Sequence, residues 1–266
     1  MKILDEIQAQ LSDQWKNYRQ CVADTLQSDV ELLNHITHYQ QANRGKELRP
    51  LLVILSAEAT QSRTAHTHQL AAAVELIHNA SLMHDDIVDD DTIRRGVESL
   101  HSRWTPHIAL LTGDYYFAKA VALLQESGQS QAIQIVTQAI VAMTESELLQ
   151  QQLLARPTVT TDIDIYLNII QGKTAALMQA CSQLGCLQAD HEQAKAMAQF
   201  GLMYGTAFQL HDDLLDQPDE QCPWVPEHAI LQQMLDRYCR LAAESLASIP
   251  SNSATEALLS LVNQLL

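Results

Sequence analysis

Basic residues are scarce in this chain. Its 266 residues hold 16 Lys and Arg against 32 Asp and Glu, a formal charge of −16. That balance argues against nucleic acid or an anionic membrane as a main partner. Cysteines number five, an odd count without Cys-x-x-Cys spacing, which reads as reduced thiols rather than a disulfide frame or zinc site. The 8 Gly and 7 Pro are few and mostly fall between periodic apolar segments, an all-α pattern. No apolar run approaches the roughly 20 residues of a membrane span. The first residues turn acidic and amphipathic at once, so no secretory signal and no integral membrane segment are expected, and a cytoplasmic location follows.

Against these absences stand two aspartate clusters 127 residues apart: His84-Asp85-Asp86-Ile87-Val88-Asp89 and His211-Asp212-Asp213-Leu214-Leu215-Asp216. Residues i and i+4 share a helix face, so each cluster aims two carboxylates at one point. Burying such charges uncompensated is costly. Oxygen-only ligands suit Mg²⁺, which takes one or two carboxylates and completes its octahedron with waters and phosphates. One cluster alone reads as a solvated face. Two, with the same spacing and apolar filling, point to magnesium ions clamping a diphosphate between helices.

Helices are expected at about 3–27, 29–41, 48–61, 67–88, 106–125, 129–155, 161–184, 190–216, 227–248 and 253–265. Candidate caps are Ser28 or Asp29, Thr67, Thr105 before Pro106, and Thr161 or Asp162. Segments 67–88 and 190–216 are apolar nearly all round, as central helices are. With no repeat or linker in view, residues 1–266 are expected to form one all-α domain, a bundle of about ten helices. Both clusters close the C-terminal ends of their helices, where the macrodipole adds negative charge. Such a site should hold a metal–anion complex better than a bare anion.

The few cations are therefore informative. Lys46 and Arg49 lie three apart in Gly45-Lys46-Glu47-Leu48-Arg49-Pro50, with Pro50 expected to steer Arg49 away from helical geometry. Arg94 and Arg95 follow the first cluster, where they could grip phosphate or simply neutralise neighbouring aspartates. Lys173 sits in the mostly apolar helix that carries Gly172-Lys173-Thr174, from which it could also snorkel to solvent.

These elements, in this order, resemble the trans-prenyltransferases, the all-α polyprenyl diphosphate synthases of isoprenoid synthase type. The resemblance runs from about residue 5 to 217 and includes Glu75-Leu76-Ile77-His78, Gly113-Asp114 and Phe208-Gln209. It implies a magnesium-dependent enzyme that forms a homodimer, with its helices around a central cavity. It implies that Lys46, Arg49, His78 and Arg95 hold isopentenyl diphosphate, and that Arg94, Lys173, Thr174 and Gln209 contact an allylic prenyl diphosphate. Asp85, Asp89 and Asp212 would be the principal Mg²⁺ ligands, supported by Asp86, Asp213 and Asp216. Asp85, Asp89, Asp212 and Lys173 would carry catalysis. Ala80 and Ser81, both small and one turn before Asp85, would leave the product channel open and the product long.

The chain departs from the family in one place. After Asp216 come Gln217-Pro218-Asp219-Glu220-Gln221-Cys222, without the Lys- and Gly-rich stretch that covers the allylic diphosphate. That leaves a second reading, an impaired or regulatory subunit of the same fold paired with a complete synthase. A di-iron bundle would need a second Glu-x-x-His beside Glu75-Leu76-Ile77-His78. A His-Asp phosphohydrolase gives Lys46, Arg49 and Lys173 no role, and a terpene cyclase has no use for Gly-Lys-x-x-Arg-Pro.

Overall fold

The computed structural model describes residues 2–155, 162–215 and 225–266. Among them the chain is all-α apart from one two-stranded hairpin, and no helix is long and apolar enough to cross a membrane. The contacts group into two compact units, Met1–Leu51 with Ala65–Ile133, and Leu52–Thr64 with Gln134–Leu266.

The first unit holds α1 (Lys2–Gln10), α2 (Ser12–Thr25), α3 (Glu31–Ala42), the start of α4 (Leu48–Ala59), α5 (Thr67–Val88), the hairpin β1 (Ile93–Arg94) and β2 (Val97–Glu98), α6 (Leu100–Arg103) and α7 (Pro106–Glu126). Leu70 through Ile77 of α5 are all buried, so no face of that stretch is left for water. α5 packs on α7, where Gly113 leaves room for the His84 ring that a Cβ would meet. On α2, Trp15, Tyr18 and Val22 recur at helical spacing and form the stripe turned inward.

The second unit holds the rest of α4, most of α8 (Ser130–Leu154), then α9 (Ile163–Ile170), a π-helical turn (Gln171–Ala175), α10 (Ala176–Gly185), α11 (His191–Leu215), α12 (His228–Ser245), a 3₁₀ turn (Leu246–Ser248) and α13 (Ser253–Asn263). α11 packs on α10 and α12, burying Met197, Phe200, Tyr204, Ala207 and Leu210.

Several local expectations need correction. The segment 3–27 is two helices, because the chain makes a tight turn at Leu11, where Gln14 donates to the Leu11 carbonyl at 2.8 Å. Arg49 is helical: Pro50 lies in the first turn of α4, where its missing N–H removes no helical bond. Neither Ser28 nor Asp29 caps α3, whose N-cap is Val30. Ser28 Oγ instead accepts from Val30 N. Thr67 is the first residue of α5 rather than its cap. Thr105 does cap α7, accepting from Ile108 N ahead of Pro106, and Asp162 caps α9 through Asp164 N and Ile165 N. Thr161, the other candidate there, lies outside the described residues.

Candidate active site

In the first unit, α5 presents the first aspartate cluster on its last turn. The Asp89 amide donates to the Asp85 carbonyl at 2.8 Å, so the two residues sit one above the other at the helix end. Asp85 is half-buried and Asp89 exposed. Asp86 differs. It is 5% exposed and takes the Arg94 guanidinium, Nε to Oδ1 at 2.7 Å, while Arg94 Nη2 also reaches Asp91 at 2.9 Å. Burial raises the Asp86 carboxyl above the usual range, and Arg94 pulls it back. The mutual neutralisation weighed for these arginines therefore describes Arg94.

Arg95 is carried elsewhere by the hairpin. Ile93 pairs with Glu98 and Arg94 with Val97, leaving Arg95 and Gly96 as a two-residue loop with φ of 57° and 79°. Positive φ at both positions is the I′ turn that suits the twist of a two-stranded ribbon. Arg95 then reaches back to the Asn43 carbonyl at 3.4 Å and to Asn79 Oδ1 at 3.3 Å. A Cβ at Gly45 would lie 2.8 Å from that guanidinium, so the first residue of Gly-Lys-x-x-Arg-Pro leaves room for Arg95.

Lys46 is exposed, and its carbonyl accepts from Gln8. Arg49 Nη1 lies 3.0 Å from His78 Nε2. A guanidinium only donates, so Nε2 accepts and the imidazole is neutral with its proton on Nδ1. Burial, then Arg49, Arg95 and Arg94, hold His78 well below its ordinary value. Lys46, Arg49, His78 and Arg95 all belong to this unit. One turn before Asp85, Ala80 is fully buried and Ser81 half-buried, its hydroxyl turned to the His78 carbonyl. Gly113 and Asp114 of α7 receive His84, whose Nε2 lies 3.6 Å from the Asp114 carboxylate.

In the second unit the Gly-Lys-Thr segment lies on the π-helical turn. Such turns insert a residue into the helix and recur at functional positions. Gly172 is needed there, since a Cβ would fall 1.6 Å from Ser146 Oγ of α8. Lys173 turns to α8, with Nζ 2.8 Å from Glu147 and 3.4 Å from Gln150. Thr174 turns to α11 and donates to Gln209 Oε1 at 2.6 Å. Gln209 in turn donates to Asp213 Oδ1 at 2.8 Å, and Tyr166 donates to the other Asp213 oxygen at 2.5 Å. Burial and the Asp213 charge both raise the Tyr166 phenol, so it stays a donor. Asp212 is half-buried beside His211, and Asp216 lies outside the described residues.

Sequence reasoning missed Tyr166, Glu147 and Gln150, which orient Asp213 and Lys173 from distant stretches. Nothing local in the sequence marks the burial of Glu75 and Glu47 or the bonds of Asn79. Glu47 is buried at φ 49° and accepts from Tyr18 and Arg19.

Asp86 and Asp213 are thus each held by named donors, Arg94 for the first and Tyr166 with Gln209 for the second. In the first unit Asp85 and Asp89 are carboxylates at the end of α5, and in the second unit Asp212 is one at the end of α11. Among the described residues no three acidic, His or Cys side chains converge tightly enough to cage an ion. Carboxylates in ones and twos at a helix end fit a hydrated Mg²⁺ that takes its remaining ligands from water and phosphate, and they do not fit an all-protein site.

Residues 30–221 match the family model described as polyprenyl synthetase. The chain is similar to octaprenyl diphosphate synthase of Escherichia coli, 33% identical over 198 residues, which are 73% of this chain and 60% of that enzyme. It is similar to heptaprenyl diphosphate synthase component 2 of Geobacillus stearothermophilus, 37% identical over 67% of this chain and 56% of that one. This chain therefore spans about three fifths of the length of the curated relatives it matches. Among solved structures, a polyprenyl synthase from Caulobacter crescentus, complexed with calcium and isoprenyl diphosphate, superposes with a TM-score of 0.88. It is 28% identical, with 98% of this chain and 97% of that one covered.

Proposed function

The chain belongs to the polyprenyl synthetase family, and on that premise we propose that it condenses isopentenyl diphosphate with an allylic diphosphate to give a trans polyprenyl diphosphate. The observation that carries the reading is that each aspartate cluster ends a helix and has one carboxylate fixed by donors of its own unit. Arg94 holds Asp86, and Tyr166 with Gln209 holds Asp213.

In this reading Asp85, Asp86, Asp89, Asp212, Asp213 and Asp216 hold Mg²⁺. When bound, the ions neutralise charge that develops on the leaving diphosphate. Lys173, Thr174 and Gln209, with Arg94, orient the allylic diphosphate so that its C–O bond ionises against fixed positive charge. Lys46, Arg49, His78 and Arg95 place isopentenyl diphosphate so that its double bond attacks the allylic carbon. The proton then lost goes to the departing diphosphate. No protein nucleophile is required, and the apolar helices keep water from the cation. That the whole chain works as one domain around one cavity is part of the proposal.

The direct test is incorporation of isopentenyl diphosphate by the purified chain with Mg²⁺ and an allylic diphosphate. Incorporation by the chain alone supports the proposal. The relative described as a component favours a second reading, a catalytically impaired or regulatory subunit that pairs with a complete synthase. Incorporation that needs an added synthase would establish that reading instead. Homodimerisation belongs to the first reading and is supported by exposed apolar side chains on α7 (Leu110, Leu111, Val121) and on α8 (Val141, Leu148). Sedimentation at micromolar concentration should give a dimer, and a monomer would refute it.

Product length follows from Ala80, buried on the turn before Asp85. Its small side chain supports an open channel floor and a long product. Ala80→Phe is expected to shorten the product by blocking that path. An unchanged product distribution from an active, folded variant would show that the channel runs elsewhere.

A further inference from the structure

Beneath the cationic group of the first unit lie two buried carboxylates that the proposed reaction does not use. Glu75 of α5 is 5% exposed, and Glu47, in the turn before α4, is 6% exposed. Glu47 has its own donors in Tyr18 and Arg19, with Arg44 at 3.9 Å. Glu75 has far less. Its Oε1 accepts from Asn79 Nδ2 at 2.9 Å, and among the described residues its Oε2 has no hydrogen-bond partner. A buried anionic oxygen without a donor is costly, whereas the protonated acid tolerates that surrounding better. Burial and the neighbouring Glu47 charge push the Glu75 carboxyl up from 4.5 to about 7, against the pull of Asn79, Arg95 and Arg49.

The groups facing Glu75 come from several elements. They are Tyr18 of α2, Glu47 and Arg49 at the start of α4, and Arg95 of the hairpin, with Asn79 on α5 itself, while His78 one turn on is bonded to Arg49. α7, also packed on α5, buries the Tyr116 phenol, which burial keeps neutral. Asn79 is the connecting piece. Its amide nitrogen donates to Glu75, and its carbonyl oxygen accepts from Arg95.

We propose that Glu75 is a positioning residue for isopentenyl diphosphate: through its bond to Asn79 it sets Arg95, and its ionisation weakens the grip on the diphosphate. The proposal rests on the assignment of Arg49, His78 and Arg95 to that substrate. An ionised Glu75 would place a negative charge under a site that must bind an anion, and it would draw Arg95 and Arg49 inward. Substrate binding and protonation of Glu75 should therefore favour one another.

The experiment measures isopentenyl diphosphate affinity by calorimetry for the full chain and Glu75→Gln, at about pH 6 and about pH 8. The substrate's own ionisation is common to both proteins and cancels in their ratio. If the bound diphosphate raises Glu75 by about one unit, wild-type affinity should fall about fivefold relative to Glu75→Gln across that range. The same pH dependence in both proteins overturns the proposal. Arg95→Ala checks the underlying assignment separately, since unchanged affinity in that variant would remove Arg95 from the site whatever Glu75 does.

A second readout is thermal stability against pH. The folded-state value of Glu75 is raised, so its contribution is fully present below about 4.5 and lost as pH rises through about 7. Wild type should therefore lose stability relative to Glu75→Gln on going to alkaline pH. That loss without any difference in binding would make Glu75 only a buried acid and overturn its positioning role. Should Glu75→Gln fail to fold, Asn79→Ala takes its place. It should lower isopentenyl diphosphate affinity and abolish its excess pH dependence, and retention of both would overturn the proposal.

Discussion

Asp85→Asn and Asp212→Asn are each expected to reduce condensation about a thousandfold or more, the scale of losing one strong electrostatic stabiliser of developing charge. The substitution keeps shape but removes the negative charge and one of the two ligand oxygens. Asp85 and Asp212 occupy equivalent positions at the C-terminal ends of α5 and α11, where helix carbonyls add to the negative potential. The diphosphate cannot be bound there without cations to neutralise it, so the loss should appear in kcat and in the Mg²⁺ concentration required. Asp86→Asn and Asp213→Asn should behave differently. Asp86 is bonded to Arg94, and Asp213 to Tyr166 and Gln209, so their loss should also lower stability, by about 1–3 kcal/mol for each abandoned buried partner. Steady-state kinetics over a range of Mg²⁺, with thermal melts alongside, separates the two pairs. Full turnover by Asp85→Asn and Asp212→Asn would remove both residues from the catalytic assignment.

The cations should divide between the two substrates. Arg49→Ala and Lys46→Ala are expected to weaken isopentenyl diphosphate chiefly, and Lys173→Ala the allylic diphosphate. A charge-assisted bond is worth about 1.5–3 kcal/mol, roughly tenfold to more than a hundredfold in affinity. The larger effect should come from Lys173→Ala. Nζ lies 2.8 Å from Glu147, whose side chain is only 20% exposed, so removing the lysine leaves a carboxylate uncompensated. Lys173→Ala with Glu147→Gln should therefore recover part of the lost allylic affinity. Arg49→Ala also releases His78 from the guanidinium that fixes its tautomer. Separate KM values for the two substrates decide the matter. Equal shifts of both substrates in all three variants would refute the partition.

Much of the helical frame is legible in the chain because burial imposes a period. α5 and α7 lie within one residue of their expected bounds, and Thr105-Pro106 and Asp162 cap where their chemistry predicts. The sequence also places Asp85 and Asp89, and Asp212 and Asp213, at helix ends, since that depends only on spacing along one element. The hairpin at 93–98 escaped notice because two-residue strands carry no alternation and Arg95-Gly96 is not the usual Asn-Gly turn. The π-helical turn at 171–175 escaped it because a helix containing one extra residue looks like any helix in a hydropathy pattern.

Partnership is where the sequence falls silent. Tyr166 and Asp213 are 47 residues apart, Lys173 and Glu147 are 26 apart, and Tyr18 and Glu47 are 29 apart. No local rule selects those pairs. Residue type and spacing fix which groups can bind a diphosphate or a metal, because that chemistry belongs to the side chain. Which carboxylate is held by Arg94, which by Tyr166, and which is buried with only Asn79 as a donor depends on distance and burial, and only packing the helices decides those.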